Sequence, residues 1–598
     1  MVIEQETLPL IEGILHYGLQ MLLALGILGV LSLIIAYLVA TALYGPIAGG
    51  RELKNFLSEI CRDWFYTSPR RVLALAWLAM KESINRRVLV VAVIFLILLL
   101  FAGWYLDNRG DIAAKMYLSF VFTSMSVLVI VLSVVLSAFS LPSDLNSRTI
   151  LLIVAKPVRR HEIVLGRVLG FLATGTILLA VMGGISYFFV SRGLDHTHVL
   201  RESEIALEDY DPTAENPIVK RGRTAMKHGH RHEVLFYKNG DIYVEDTPGH
   251  SHRAEVRTNQ QGEEIVQLGE PLSILRARVP RYGTLLFRDR NGELQDKGIN
   301  VGTEWKYKTC IEGGTRSAGI WTFEDLYEEE FPNGVPLELT LGVYRSYKGD
   351  IDSGILGSLR LRNPTDGRTS NPILFRAKEY YTDRLFIPRT VDSPEGPLDL
   401  FKHFVVDGKV EMEVRCEERA QYFCMARYDV YARAGDAPFS LNFVKGLTGI
   451  WLQMLLILSV GVAASTVLRG SVAMALTIGI ALSGHLLDSL KTLAQGENYG
   501  GGPLEALIRI LTNRNLMVEL PNGFYLGPTK MFDAAMRGLL NAVTYIVPDF
   551  RLYNMADYVA QGFNINASQL ASNIVCGVTY SLIVIIIGHL CLKLRQVA

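Results

Sequence analysis

The sequence predicts a membrane all-α bundle of about seven transmembrane helices, interrupted by an inserted extracytoplasmic β-rich, sandwich-like domain. Three observations carry this expectation. Half of the 598 residues are hydrophobic, and they come in blocks rather than evenly spread. Uncharged apolar runs of span length mark helices that cross a bilayer. Residues 192–440 break the pattern, being polar, charged and turn-rich with no apolar run of span length. Finally, Lys and Arg gather in short loops between the apolar blocks, and such loops lie on the cytoplasmic side of a membrane.

Composition excludes several classes. The chain has 59 Lys and Arg against 59 Asp and Glu, for a net charge of zero. No basic face of the kind nucleic acid requires is expected, so no nucleic-acid partner is. The six cysteines, Cys61, Cys310, Cys416, Cys424, Cys576 and Cys591, form no CxxC pair, which excludes a zinc ribbon or a thioredoxin-like motif. No G-x-x-x-x-G-K-[ST] motif occurs, so the chain carries no P-loop for ATP hydrolysis.

Segment 1–46 is read as an additional N-terminal helix. Residues 13–46 contain no charged side chain, which is enough to span with tilt. The run is too long for a signal peptide and no basic segment leads it. Arg51, Lys54, Arg62, Arg70 and Arg71 follow it, which puts segment 47–87 inside the cell. Ser68-Pro69-Arg70-Arg71 opens a helix there, with Ser as N-cap and Pro at the first helical position. Val72, Leu73, Leu75, Ala76, Leu78 and Ala79 give that helix an apolar side, and Lys81 to Arg87 close it. It reads as an interfacial elbow. Segment 88–191 holds spans at 88–106, 116–141 and 168–191, with Trp104 and Tyr105 as an outer aromatic belt. Segment 441–487 holds a pair of spans turning at Arg469-Gly470. Segment 488–573 returns outside with amphipathic helices at 504–511 and 531–546. In the second, Phe532, Ala535, Leu539, Val543 and Ile546 share a face. Segment 574–598 is the last span and an inner tail bearing Lys593 and Arg595.

Within 192–440 the periodicity is two. Asn239-Gly240 separates Val234–Tyr237 from Ile242–Val244, Asn291-Gly292 follows residues 284–287, and Asp407-Gly408 sits between Phe404-Val405-Val406 and the alternating Val410, Met412 and Val414. Such dipeptides between apolar runs are strong hairpin signals. Residues 321–330 read as a short helix. Cys416 and Cys424 stand eight apart. In an oxidising compartment they could close a hairpin as a disulfide; two free core thiols is the equal alternative.

The loop 142–162 organises the rest. The run from Leu141 reads LPSDLNSRTILLIVAKPVRRHEIVLGRVLG, with Arg148, Lys156, Arg159, Arg160 and Arg167 against Asp144 and Glu162. Asn146-Ser147 can cap a short helix over 148–155. Lys156-Pro157 stops it, and a second helix starts near Arg160. An ordinary positive-inside loop that only sets topology is the competing reading.

The order of residues in this loop resembles the coupling loop of type-2 ABC exporter permeases, most nearly the group associated with multicopper-enzyme maturation. The residues that carry the likeness are the Pro142 and Asp144 leaving a span, Arg148-Thr149-Ile150, Lys156-Pro157-Val158-Arg159-Arg160, and Glu162-Ile163-Val164-Leu165-Gly166-Arg167. Pro438-Phe439-Ser440-Leu441-Asn442-Phe443 and Val547-Pro548-Asp549-Phe550 are similar to later parts of the same family. The resemblance implies that Asp144, Arg148, Thr149, Lys156, Pro157, Arg159, Arg160 and Glu162 form the docking surface for a separate ABC ATPase subunit. That subunit, and not this chain, would bind ATP-Mg; no cofactor is expected on this chain. A second permease copy or paralogue, the lipid bilayer and an inner-membrane location complete what the family implies. Two other roles stay open: a force-transmitting ABC protein that moves no cargo itself, and a membrane-anchored sensor or assembly scaffold.

No Ser-His-Asp or paired-carboxylate arrangement stands out, and no catalytic residue is expected. His228, His230 and His232 lie in KHGHRHE, and His250 and His252 in GHSHR. On a strand, residues two apart share a face, so each tract could present two imidazoles together, as copper or zinc would need. A solvated strand edge is the commoner meaning of such tracts. His16, His485 and His589 fall near span ends, where interfacial placement accounts for them.

Overall fold

The computed structural model describes the chain except for 1–10, 85–87, 106–111, 147–157, 208–217, 245–250, 259–263, 302–306, 348–353, 497–500, 516–525, 595–598, part of 13–44 and a few further positions that include His228. It separates into two units. One is chiefly Arg276–Phe439 with Gly562–Asn564; the other holds the helices together with the strands that precede Arg276. The stretch read as a single domain over 192–440 is therefore divided between them.

The helical unit contains α1 (Pro46–Phe65), α2 (Pro69–Ser83), α3 (Leu89–Tyr105), α4 (Ile112–Asn146) and α5 (Arg160–Leu194). After the β-rich stretch come α6 (Phe439–Ser465), α7 (Gly470–His485), α8 (Leu487–Gln495), α9 (Pro503–Leu511), α10 (Leu526–Ile546) and α11 (Ala567–Leu594). Among the described residues, four helices are long and apolar enough to cross a membrane: Ala114–Pro142, Arg160–Arg192, Phe439–Ser465 and Ala567–Lys593. The bent pair of α7 and α8 makes five if counted as one span. Val90–Ala102 is a shorter apolar helix. Of residues 11–42, those described are helical. The expected span at 471–487 is present as α7, and at its end the chain turns by 75° into α8. Helix α4 runs five residues past the expected end, through Pro142. Helix α5 begins at Arg160, where the second helix of the loop was expected.

Small side chains set the closest approaches. Helix α2 lies along the first half of α5 because Gly166 and Gly170 offer no side chain. A Cβ at Gly166 would come 2.5 Å from that of Leu75, and one at Gly170 would overlap the Ala76 carbonyl. Glycines one turn apart let helix backbones meet in this way. Val72, Ala76, Ala79 and Ser83 form the buried face of α2, while Leu73, Trp77 and Leu78 stay exposed. Ser68 sits at the N-cap and Pro69 at the first helical position, as the sequence indicates.

Buried amides pin the irregular backbone between α10 and α11. The Gln453 amide nitrogen donates to the Phe550 carbonyl at 3.3 Å, Asn573 donates to the Leu552 carbonyl at 2.7 Å, and the Asn442 side-chain oxygen accepts from the Ile565 N–H at 2.9 Å. Non-helical backbone inside a bundle needs such partners. Phe550, of the Val-Pro-Asp-Phe motif, is fully buried and fills the space above Gly484, where a Cβ would overlap its ring.

Among the described residues, seven strands of the helical unit form two small sheets. They are β1 (His198–Leu200), β2 (Ile205–Leu207), β3 (Ile218–Arg223), β4 (Glu233–Tyr237), β5 (Ile242–Val244), β6 (Ser251–Thr258) and β7 (Glu264–Leu272), ordered β1-β7-β6 and β2-β3-β4-β5. Strands β4 and β5 pair as the expected hairpin, with Asn239 itself outside the described residues. Their shared core is small: Leu200, Val234, Val244, Val266 and Leu268.

The other unit is an antiparallel β structure. Its strands are β8 (Arg278–Tyr282), β9 (Thr284–Arg288), β10 (Leu294–Gln295), β11 (Thr309–Glu312), β12 (Ala318–Phe323), β13 (Gly334–Leu339), β14 (Gly342–Arg345) and β15 (Ile355–Arg362). There follow β16 (Ile373–Ala377), β17 (Asp383–Pro388), β18 (Thr390–Ser393), β19 (Gly396–Asp399), β20 (Val410–Cys416), β21 (Gln421–Met425) and β22 (Val430–Asp436). A six-stranded sheet, β10-β9-β12-β20-β15-β16, and a four-stranded sheet, β17-β13-β22-β8, send alternate residues into one core. Trp321, Phe323, Leu359 and Met412 come from the first sheet, and Val335, Leu337, Ile387 and Val430 from the second.

Three expectations are corrected here. Trp321 lies in strand β12, not in a helix over 321–330: its strand pairs with β9 and β20, and its indole N–H donates to the Arg427 carbonyl at 3.0 Å. Asp407-Gly408 makes a tight turn but no full hairpin, because Leu400–His403 is a helical turn capped by Asp399 and only Val406 bridges to Lys409. The disulfide joins Cys310 to Cys424, which face each other directly across β11 and β21. Cys416 sits on β20 in a different sheet, and remains a buried thiol.

Candidate functional site

The base of the 142–162 loop is the first candidate. Asp144 lies at the end of α4, and Arg148, Thr149, Lys156 and Pro157 fall outside the described residues, as does the expected helix over 148–155. Arg159, Arg160 and Glu162 are described and form a joint. The buried Glu162 carboxylate accepts from the Ser68 N–H at 2.9 Å, from the Arg71 guanidinium at 2.7 and 2.8 Å, and from the Arg159 N–H at 3.0 Å. Arg159 reaches Asp63 at 3.1 Å and the Arg62 carbonyl at 2.8 Å. Arg160 donates to the Lys593 carbonyl at 2.6 Å, at the C-terminal end of α11 where carbonyls lack helical partners. Lys593 in turn pairs with Glu59 at 3.0 Å. Residues 159–162 thus hold α1, α2 and α11 together at the start of α5.

A ring cluster lies inside the joint. The Thr67 hydroxyl meets His161 Nε2 at 2.8 Å, Trp64 stacks on His161 with centroids 5.2 Å apart, and the Trp64 indole N–H donates to His589 Nδ1 at 3.2 Å. His589 is fully buried, with Trp64 as its partner. His485 stacks on Phe550 at the end of α7, and His16 lies outside the described residues.

The second candidate lies at the other end of α5, a helix of 35 residues and about 50 Å. His196, His198, His230, His232 and His252 are all buried, and one nitrogen of each lies within 4.8 Å of the others. Two of the five come from the stretch where α5 stops and β1 starts. His230 and His232 sit on a short bridge ahead of β4, fixed by the Thr224 N–H donating to the His232 carbonyl at 3.0 Å and the Thr224 hydroxyl accepting from the His232 N–H at 2.9 Å. His252 stands on β6, opposite Pro271 of β7, while His198 on β1 stands opposite Leu268 of the same strand. The pairing on both edges of β7 is what brings residues 54 apart in sequence to one place.

Burial chiefly pushes the His198 imidazole down to about 3, with the neighbouring rings adding to the effect and its bond to the Ala225 carbonyl opposing it. Burial lowers His252 as well. These rings are neutral at physiological pH, the form that ligates metals. Of the residues expected from the sequence, His230, His232 and His252 come together, while His228 and His250 lie outside the described residues. The sequence expectation omits His196 and His198; their own His-Thr-His spacing, directly after an apolar span, is the signal that points to them.

No family model matches the chain, and no curated protein or solved structure matches it.

Proposed function

We propose that this chain is the transmembrane permease subunit of an ABC exporter, driven by a separate ATPase that docks on the 142–162 loop. The observation that supports this best is the joint at residues 159–162. A push on the loop reaches α5 directly, and through Glu162, Arg159 and Arg160 it reaches α2, α1 and α11 as well. A loop that served topology alone would not need a fully buried carboxylate holding four donors at its base. In this reading the loop and the C-terminus face the cytoplasm of a cell bounded by this inner membrane. The stretch 192–440 lies outside, and about seven helices cross the bilayer, the partly described N-terminal helix and Val90–Ala102 among them. A second copy or paralogue would complete the path.

The test is affinity purification of the full chain from its native membrane. A P-loop ATPase subunit should travel with it in near-equal amount, and be lost when Lys156 and Arg159 are both changed to Glu. If no nucleotide-binding subunit accompanies the intact chain, the permease reading is wrong. The large β unit favours one rival, a subunit that passes force to an envelope partner; hydrolysis with no movement of any candidate cargo would select it.

A further inference from the structure

We propose that His196, His198, His230, His232 and His252 hold one divalent late first-row transition-metal ion of the zinc or copper type, as a closed structural staple between the end of α5 and the small sheets beyond it. This site is independent of the loop joint and of any ATPase.

The proton positions carry the argument. Backbone carbonyls only accept hydrogen bonds, so a ring nitrogen facing one must carry the proton. His196 Nδ1 faces the Leu194 carbonyl at 2.9 Å, His198 Nδ1 the Ala225 carbonyl at 3.3 Å, and His252 Nδ1 the Gly269 carbonyl at 2.7 Å. With Nδ1 turned to a carbonyl, the nitrogen that each of these rings can offer to a metal is Nε2. This outer ring of carbonyls is the arrangement that orients histidine ligands toward a metal. His230 Nε2 lies 3.1 Å from His196 Nε2 and 3.2 Å from His198 Nε2. Three ring nitrogens thus converge on one point, and a cation placed there would take them as ligands in place of these ring-to-ring contacts.

The distances suit the ion. Metal–nitrogen bonds of about 2.0–2.1 Å place tetrahedral donors roughly 3.3 Å apart, close to the 3.1 and 3.2 Å seen. The donors are imidazoles alone, the set that suits zinc, copper and nickel and not magnesium or calcium. All five are buried, and five imidazoles are enough to fill the ion's shell with protein ligands alone, as in closed structural sites. The need for a staple is visible in the sheets themselves, whose fully buried apolar core, among the described residues, is only five side chains. Small scaffolds with so little core are commonly completed by a metal.

The experiment uses the full chain in detergent, stripped with chelator, loaded with zinc or copper(II) and desalted. One equivalent should be retained. His198→Asn and His252→Asn should each cut retention at least fivefold, while His403→Asn, in the other unit, should leave it unchanged. Zinc-edge X-ray absorption on the unmodified chain gives a readout that needs no variant to fold, and three to five imidazole nitrogens should appear. Retention of no ion, equal retention by a His198→Asn/His252→Asn double variant, or a spectrum with two or fewer imidazoles would overturn the proposal.

Discussion

Asp383 opens β17 at a point where burial pushes its carboxyl up to about 7, with Lys378 opposing weakly. An unfolded chain would hold that proton only below about 4. The folded state therefore binds the proton more tightly. Its stabilising effect is complete below about pH 4 and is lost as the pH rises through 7. Asp383→Asn removes the cost of charging the site. It should raise stability at pH 8 by about 1–3 kcal/mol and leave it nearly unchanged at pH 4. Thermal melts of the full chain at the two pH values measure this, and an equal shift at both would contradict it. Single residues also differ in how much they disclose in a sequence. Three residues of the histidine cluster are legible because H-x-H tracts stand out within the polar stretch, and His196-Thr197-His198 is a tract of the same kind that the sequence expectation passes over because it directly follows a span. Which rings meet depends on the pairing of β1 and β6 with β7, and no local pattern encodes that partnership. Cys424 shows the same limit, since proximity in sequence favours Cys416 and strand pairing selects Cys310.

At the scale of elements, local chemistry is a better guide. The Ser68-Pro69 helix start, the Asn239-Gly240 hairpin and the amphipathic helices α9 and α10 follow from caps, turns and periodicity. Strand β12 escapes that reading because a buried central strand has no solvent face to enforce alternation. The bend between α7 and α8 falls at Leu486, where no proline marks it; the nearby Gly484 makes room for Phe550. Composition leaves unseen the packing of α2 along α5, which rests on Gly166 and Gly170. Gly170→Val should force the helices apart and cost about 1–3 kcal/mol. A Cβ at Gly184 in the same helix would meet nothing within 4 Å, so Gly184→Ala should be neutral or stabilising by up to about 1 kcal/mol. Unfolding midpoints of the two variants in one detergent make the comparison. Equal midpoints would mean that α2 does not depend on this seam.

For the molecule as a whole, the division into two units sets the last expectation. The unit built on Arg276–Phe439 has its own core of aromatic and branched residues drawn from both sheets, so it has the means to fold without the bundle. Its chain is closed by Cys310 and Cys424, which are 114 residues apart. A cross-link over so long a loop removes much of the freedom of the unfolded chain, and on that account contributes about 4–5 kcal/mol. Cys416 offers no substitute partner: burial pushes its thiol up to about 12, so it does not ionise to attack the bridge. Residues 276–439 made in an oxidising compartment should therefore be soluble and melt cooperatively. Cys310→Ser should lower the melting point by about ten degrees or more, on the order of what that loss means for a domain of this size, while Cys416→Ala should shift it far less. Melting followed by circular dichroism, with thiol counting under denaturing conditions, decides the matter. One free thiol in the parent segment is the expected count, and three would show that the bridge does not form.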